Sequence, residues 1–191
     1  ITLFPGQFER GGQRIQSKIT YDDYKELAEK LEKVKVMAPI FEKVLKITYE
    51  GNSVDVGVTG TIPEYQQVRS LEIAQGRFFS NSEGSARVRV VVLGSQTATD
   101  LFAGLNPMGR TIRIDSIFFE VIGVLESKGG GGFGSEDDAA LIPIETGYSR
   151  LFGKRAISNG VRTVSSVSMS ASTAEDVEWV MVQIERIVRQ Q

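Results

Sequence analysis

Cysteine and histidine are both absent from the 191 residues. That removes disulfides, thiolate nucleophiles, thiol redox chemistry, the usual zinc ligands and every histidine-based catalytic triad. Whatever chemistry remains must come from carboxylates, Lys, Ser, Thr or Tyr. The missing cysteines do not assign a compartment, because a chain without disulfides is tolerated on either side of a membrane. An excess of one charge is also missing: 22 Lys and Arg face 24 Asp and Glu, a formal charge of −2 with no basic block. A phosphate backbone demands many cations on one face, so nucleic acid is not expected as a partner. Long apolar runs are lacking as well. The longest, at residues 90–93 and 121–125, fall far short of the ~20 residues that cross a bilayer, and the segment is expected to be water-soluble. Ile1 is followed by no charged n-region, apolar h-region and cleavage site, so the chain reads as an internal piece of a longer product.

What is present suffices for a core. Apolar residues make up 41% of the chain, and a chain this long buries roughly 70% of its unfolded surface without a metal or disulfide staple. Thr20 is placed to cap a helix whose first turn carries Asp22 and Asp23, on the favourable side of the helix dipole. Tyr24, Leu27, Ala28, Leu31 and Val34 recur at helical spacing and predict one amphipathic helix of ~14 residues. Pro39 stops it, and residues 44–49 and 54–58 read as a β-hairpin across Glu50-Gly51-Asn52-Ser53.

From Pro63 the texture becomes short β-rich runs broken by Gly, Asn and Pro. Residues 88–93 predict a strand, 94–102 a short helix capped at Ser95, and Asn106-Pro107-Met108-Gly109 a turn. Residues 111–115 and 118–125 pair as a hairpin across Ser116 and Ile117. The tract at 129–135 is so rich in glycine that it reads as a mobile loop. A strand at 139–144, a helix at 146–152 and an alternating strand at 161–169 follow. Thr173 then caps a last helix with the apolar stripe Val177, Val180, Met181, Ile184, Ile187 and Val188, acids Glu175 and Asp176 at its start, and Arg186 and Arg189 near its end. Trp179 and Val182 fall on the opposite face, where the Trp either packs beneath a loop or forms an interaction point. The ends of the chain have βα texture and the middle is mostly β. The economical architecture is α+β: a discontinuous domain from residues 1–60 and 137–191, with residues 61–136 inserted.

The motifs give no catalytic constellation. Gly129, Gly131 and Gly134 fit G-x-G-x-x-G in letter, but Glu136, Asp137 and Asp138 stand where a pyrophosphate-binding helix would open, and a strand follows. Residues 147–154 miss the phosphate-loop spacing, with Arg155 in place of the Mg²⁺-binding hydroxyl. The paired carboxylates Asp137 and Asp138, and Asp22 and Asp23, are better explained by loop solvation and helix capping than by acid–base work. Gly76-Arg77-Phe78-Phe79 reads as a structural corner whose aromatics pack inward while Arg77 reaches local carbonyls or a carboxylate.

The string of motifs resembles one family. It runs through Thr59-Gly60-Thr61-Ile62-Pro63-Glu64-Tyr65, residues 71–76 leading into Arg77-Phe78-Phe79-Ser80, Val91-Val92-Leu93-Gly94 and Leu101-Phe102-Ala103-Gly104. It continues with Asn106-Pro107-Met108-Gly109-Arg110-Thr111-Ile112, Phe119-Glu120-Val121-Ile122-Gly123-Val124-Leu125 and residues 138–143. In order and spacing these are similar to the periplasmic or extracellular core domain of MacB-type (FtsX/LolC-like) ABC transporter permeases. The glycine-rich tract at 129–135 departs from the pattern.

The resemblance implies a domain on the extracytoplasmic face of the cell membrane, anchored by transmembrane helices outside this segment. It implies a porter-like α+β lobe from residues 1–60 and 137–191 and an inserted, mostly β, sabre-like lobe from 61–136. The implied function is to transmit conformational change from cytoplasmic ATP hydrolysis to export of a substrate, and to dock partner proteins. Those partners would be the rest of the permease and its ATP-binding subunit, a second permease copy and a periplasmic adaptor protein. The ATPase would lie in a separate domain or subunit, so no enzyme activity is expected here, and no catalytic, cofactor-binding or metal residue is assigned. The reading from another class is a small-ligand module, with a peptide or lipid held in the cleft between lobes.

Overall fold

A computed structural model describes residues 1–5, 7–10, 13–16, 18–129 and 135–188, with backbone alone at 7–10, 13–16, 158, 185, 186 and 188. The chain opens with β1 (Thr2–Leu3), β2 (Gln7–Arg10), β3 (Gln13–Gln16) and β4 (Ile19–Thr20) before the first helix, α1 (Tyr21–Lys30). Thr20 caps α1 as the sequence predicts: its hydroxyl accepts from the Asp23 amide at 3.0 Å, and the Asp23 carboxylate accepts from the Thr20 amide at 2.7 Å. The helix is shorter than its apolar spacing predicts. Val34 fits the helical stripe, but it begins the sixteen-residue strand β5 (Val34–Tyr49). Pairing with a distant strand outweighs local helix periodicity there.

Next come β6 (Asn52–Thr61), α2 (Glu64–Val68), β7 (Ile73–Gly76), α3 (Asn81–Ser85), β8 (Val90–Leu93), α4 (Ser95–Phe102), β9 (Thr111–Ile114) and β10 (Ile117–Leu125). The chain then continues with β11 (Ala139–Pro143), α5 (Ile144–Arg150), β12 (Ile157–Ser158), β13 (Val161–Val164), β14 (Ser166–Ala171) and α6 (Asp176–Val188). The architecture is mixed α+β. Among the described residues no helix is long and apolar enough to cross a membrane.

β5 organises the sheet. Its first half pairs antiparallel with β14, which also carries β1, and its second half pairs antiparallel with β6. From β6 the pairing continues through β11, β8, β10 and β9, and β9 returns to β5 through Ile47↔Ile114 and Thr48↔Arg113. Six strands therefore form a closed ring, which removes exposed edges from that part of the sheet. The ring is filled by alternate residues, among them Ile47, Val58, Leu93, Ile114, Val121 and Ile142, all in one cluster. That cluster also holds Met169, Val180 and Ile184 from β14 and α6, so the core is continuous from end to end. A second cluster, with Ile40, Tyr65, Leu71, Phe79, Ile122 and Leu141, covers the opposite face of the sheet.

Pro39 lies inside β5, where the sequence predicts an interruption. It is tolerated because the strand changes partner at that point: Ile40 is the last position of the run paired with β14 and Phe41 the first paired with β6. The Pro39 carbonyl is not orphaned, since the buried Thr61 hydroxyl donates to it at 2.8 Å.

Several boundaries differ from expectation for local reasons. The β5–β6 turn is two residues, Glu50 and Gly51, with Tyr49 opposite Asn52. The β9–β10 turn is Asp115 and Ser116, with Ile117 already paired to Ile114 and Asp115 at φ 53°. α4 is capped by Gly94, not Ser95. A side chain at 94 would come within 2.2 Å of the Glu136 carbonyl, so only glycine lets that loop pass. The expected strand at 161–169 breaks at Ser165, whose amide donates to the Ile40 carbonyl and whose hydroxyl accepts from the Glu42 amide. The short helices α2 and α3 lie within the stretch read as β-rich. α3 carries a Ser80–Glu83 capping box that its S-x-x-E spacing spells out. Most of the glycine-rich tract, residues 130–134, lies outside the described residues, and with it Gly131 and Gly134.

Candidate functional site

A groove of about 510 Å³ lies on the sheet face opposite the ring interior. Its floor is built by alternation: Gly57 and Thr59 of β6, Ser166 and Ser168 of β14, and Leu141 of β11 all point to the same side. Tyr65 and Arg69 of α2 form one wall, and Phe4, which is 66% exposed, stands opposite. The rim carries the carboxylates of Glu42, Asp55, Glu136 and Asp138 against the single cation Arg69.

Two of these charges neutralise each other. The Arg69 Nε donates to Glu136 Oε1 at 2.7 Å, and its Nη2 lies 2.5 Å from the same oxygen. Burial works against the Arg69 charge, but the hydrogen bond to Glu136 together with the charges of Tyr65 and Glu136 outweighs it and raises the Arg69 pKa. Burial also pushes the Tyr65 phenol up to about 12, with Arg69 pulling it down and Glu136 adding to the rise. Tyr65 thus stays neutral across the physiological range. Glu42 lies over Gly57, where a Cβ would meet its Oε1 at 2.9 Å. The floor residues Thr59 and Ser166 are 6% and 5% exposed, and their hydroxyls, open to the groove, make no hydrogen bond among the described residues.

Behind the groove, Asp137 is buried rather than solvated, contrary to the sequence reading. Its carboxylate accepts from the Lys128 and Gly129 amides at 2.9 and 3.1 Å and from the Ser127 hydroxyl at 2.9 Å. The Lys128 amide bond leads the influences that hold its pKa below the usual carboxylate range. Asp137 is therefore an anchor for the start of the 127–129 loop. Neighbouring Asp138 lies on the groove rim, so the two carboxylates do not converge on one point. Asp22 and Asp23 sit in the first turn of α1, with Asp23 closing the cap.

The remaining motifs are structural. Gly147 lies inside α5, and a Cβ there would meet Phe152 Cε2 at 2.0 Å, so it leaves room for a ring rather than a phosphate. The corner at Gly76-Arg77-Phe78-Phe79 forms as expected: Phe79 is buried, and Arg77 donates to both oxygens of Glu83 at 2.9 and 2.7 Å and to the Phe78 carbonyl at 3.2 Å. Gly76 (φ 72°) and Gly123 are required for it, because a side chain at either position would strike the opposing backbone within 2.3 Å. Trp179 is 37% exposed with the Lys33 ammonium 5.0 Å from its ring centre, and Lys33 also pairs with Asp176 at 2.8 Å. Lys33 thus pins α6 to the turn after α1, while Trp179 itself stays exposed. The buried stripe of α6 is narrower than predicted, since Val180 and Ile184 are buried while Val177 and Met181 are exposed. Among the described residues no group of three or more acidic side chains is placed to hold a metal ion.

Residues 1–187 match the family of MacB-like periplasmic core domains. The chain belongs to that family. Its relatives include the macrolide export ATP-binding/permease protein MacB of Bdellovibrio bacteriovorus, 32% identical over 183 residues, covering 96% of this chain and 27% of that protein. The corresponding Azoarcus protein is 30% identical over 185 residues, 95% of this chain and 28% of its own length. This MacB-like domain thus spans about a quarter of the curated relatives it matches. The fold matches the periplasmic region of MacB from Actinobacillus actinomycetemcomitans, with TM-score 0.79, 20% identity, and 99% and 82% of the two chains covered. It also matches the extracellular domain of the ABC-type transporter YknZ from Gram-positive bacteria, with TM-score 0.73, 20% identity, and coverage of 94% and 88%. By its family the chain is a MacB-like periplasmic, and so extracytoplasmic, core domain.

The groove residues Glu42, Asp55, Gly57, Thr59, Arg69 and Ser166 are not singled out by the sequence reading. They come from separate elements, and nothing in their spacing announces a shared face. The one available signal is Gly57, a glycine inside a strand, which marks a close approach.

Proposed function

We propose that the domain relays movement between the membrane-embedded and ATP-binding parts of an exporter and the partners that meet it outside the cell membrane. The observation that carries this reading is the continuity of β5 and of the core. One strand serves both sheet regions, and one apolar cluster runs from the ring to α6. A body packed in this way moves as a unit and transmits displacement with little loss. α6 is the element best suited to pass motion on, being held to the rest by Val180 and Ile184 beneath and by the Lys33–Asp176 pair at its start.

Anchoring by transmembrane helices, a second permease copy, a separate ATP-binding subunit and a periplasmic adaptor belong to this proposal. So does the division into a porter-like lobe and an inserted sabre-like lobe, drawn at 1–60 and 137–191 against 61–136. What supports a two-part reading is the partner change in β5, which falls at Ile40 and Phe41. That favours a junction closer to residue 40 than to residue 60.

The test uses the full transporter with Gly at both Glu178 and Glu185, which loosens α6 through the low helix propensity of glycine. Export is expected to fall while ATP hydrolysis persists. Unchanged export would overturn the relay.

A further inference from the structure

The relay gives the groove no task, yet its chemistry is specific. A volume of about 510 Å³ suits a small molecule rather than a folded partner. The carboxylates of Glu42 and Asp55 make no ion pair among the described residues, although Lys46 stands opposite Asp55 in the β5–β6 register. Gly57 leaves the space beneath the Glu42 carboxylate free of a side chain. Between these charges lie Thr59 and Ser166, whose hydroxyls make no hydrogen bond among the described residues and are open to the groove. Hydroxyls that line an open cavity without a protein partner offer both a donor and an acceptor to a polar guest. Phe4 and Ile40 add apolar surface beside them.

We propose that this groove binds a small organic amine, its ammonium group held by Glu42 and Asp55, its apolar body on Phe4 and Ile40, and its polar substituents on Thr59 and Ser166. The charge balance selects the sign. With Arg69 already engaged by Glu136, Glu42 and Asp55 leave this end of the groove negative, so an anion is repelled and a neutral ligand loses the strongest contact. This inference is independent of force transmission, since it concerns the isolated domain and requires no ATPase.

The test titrates the 191-residue chain with 4-phenylbutylamine and, separately, with 4-phenylbutan-1-ol, following backbone amide shifts by NMR. The amine is expected to bind about fivefold more tightly than the alcohol, the gain available from a partly exposed ion pair. Shifts should centre on Gly57, Thr59 and Leu141, and added salt should erase the difference. Glu42→Gln should also remove it while leaving thermal unfolding and alcohol binding unchanged. Equal affinity for the two compounds would overturn the proposal. So would shifts centred elsewhere, a preference that survives Glu42→Gln together with Asp55→Asn, or no binding of the amine at millimolar concentration.

Discussion

Ile40 and Phe41 are chain neighbours that pair in different directions, Ile40 opposite Ser166 of β14 and Phe41 opposite Gly60 of β6. The junction between the two sheet regions is thus a single peptide link inside a continuous strand, packed on both faces by the core. Phe152 bridges it, its ring 4.7 Å from that of Phe41 and in the same cluster as Met169 and Val180. The two regions are expected to unfold together. In urea, fluorescence of Trp179, the single Trp, and far-UV circular dichroism should trace one transition, and Phe152→Ala should lower stability by ~3–5 kcal/mol in both. Two separated transitions would contradict a shared core.

Gly147 has a packing role that a substitution exposes. A methyl at this position would collide with the Phe152 ring, which is itself fully buried and has nowhere to retreat. Gly147→Ala is expected to cost ~1–3 kcal/mol in the urea midpoint, the usual penalty for overpacking. Adding Phe152→Leu should recover part of that loss, because the branched side chain withdraws the ring atoms that clash.

The Arg77–Glu83 pair makes stability depend on acid pH. Two hydrogen bonds from Arg77, followed by the Ser80 amide and set against burial, hold the Glu83 carboxyl at about 2. Because the folded value lies below the unfolded one of ~4.3, this contribution is complete above the unfolded value and is lost as pH falls toward about 2. Glu83→Gln should flatten that part of the acid limb. At neutral pH it should cost ~1 kcal/mol, since Arg77 is largely exposed and its ion pair is screened, leaving the cap as the larger part.

Asp137 anchors the loop that starts at Ser127, and its loss leaves the Lys128 and Gly129 amides without their acceptor. Asp137→Ala is expected to destabilise the domain by ~1–3 kcal/mol. Hydrogen exchange at those two amides should rise even under conditions where the ring strands stay protected. Unaltered exchange there would show that the carboxylate does not hold the loop.

Legibility of the chain tracks the range of the interactions. The cap at Thr20, the turn at Asn106, the corner at Arg77 and the apolar runs of β8 and β10 follow from residues within a few positions of one another. Short-range hydrogen bonds and side-chain periodicity carry that information, and the order of motifs is enough to indicate the family. The helix boundary at Leu31 and the passage of β5 through Pro39 do not follow, because a strand more than a hundred residues later supplies the competing partner.

The amino-acid order alone determines that this chain has no thiol or imidazole chemistry, that its charge is balanced and that its elements are mixed α and β, since each is a property of residue types and near neighbours. Only the tertiary structure decides that six strands close into a ring, that β5 serves two sheet regions, and that Glu42, Asp55, Thr59 and Ser166 line one groove. Those outcomes depend on which distant backbone groups pair, and pairing is selected by burial of the whole core rather than by any one segment.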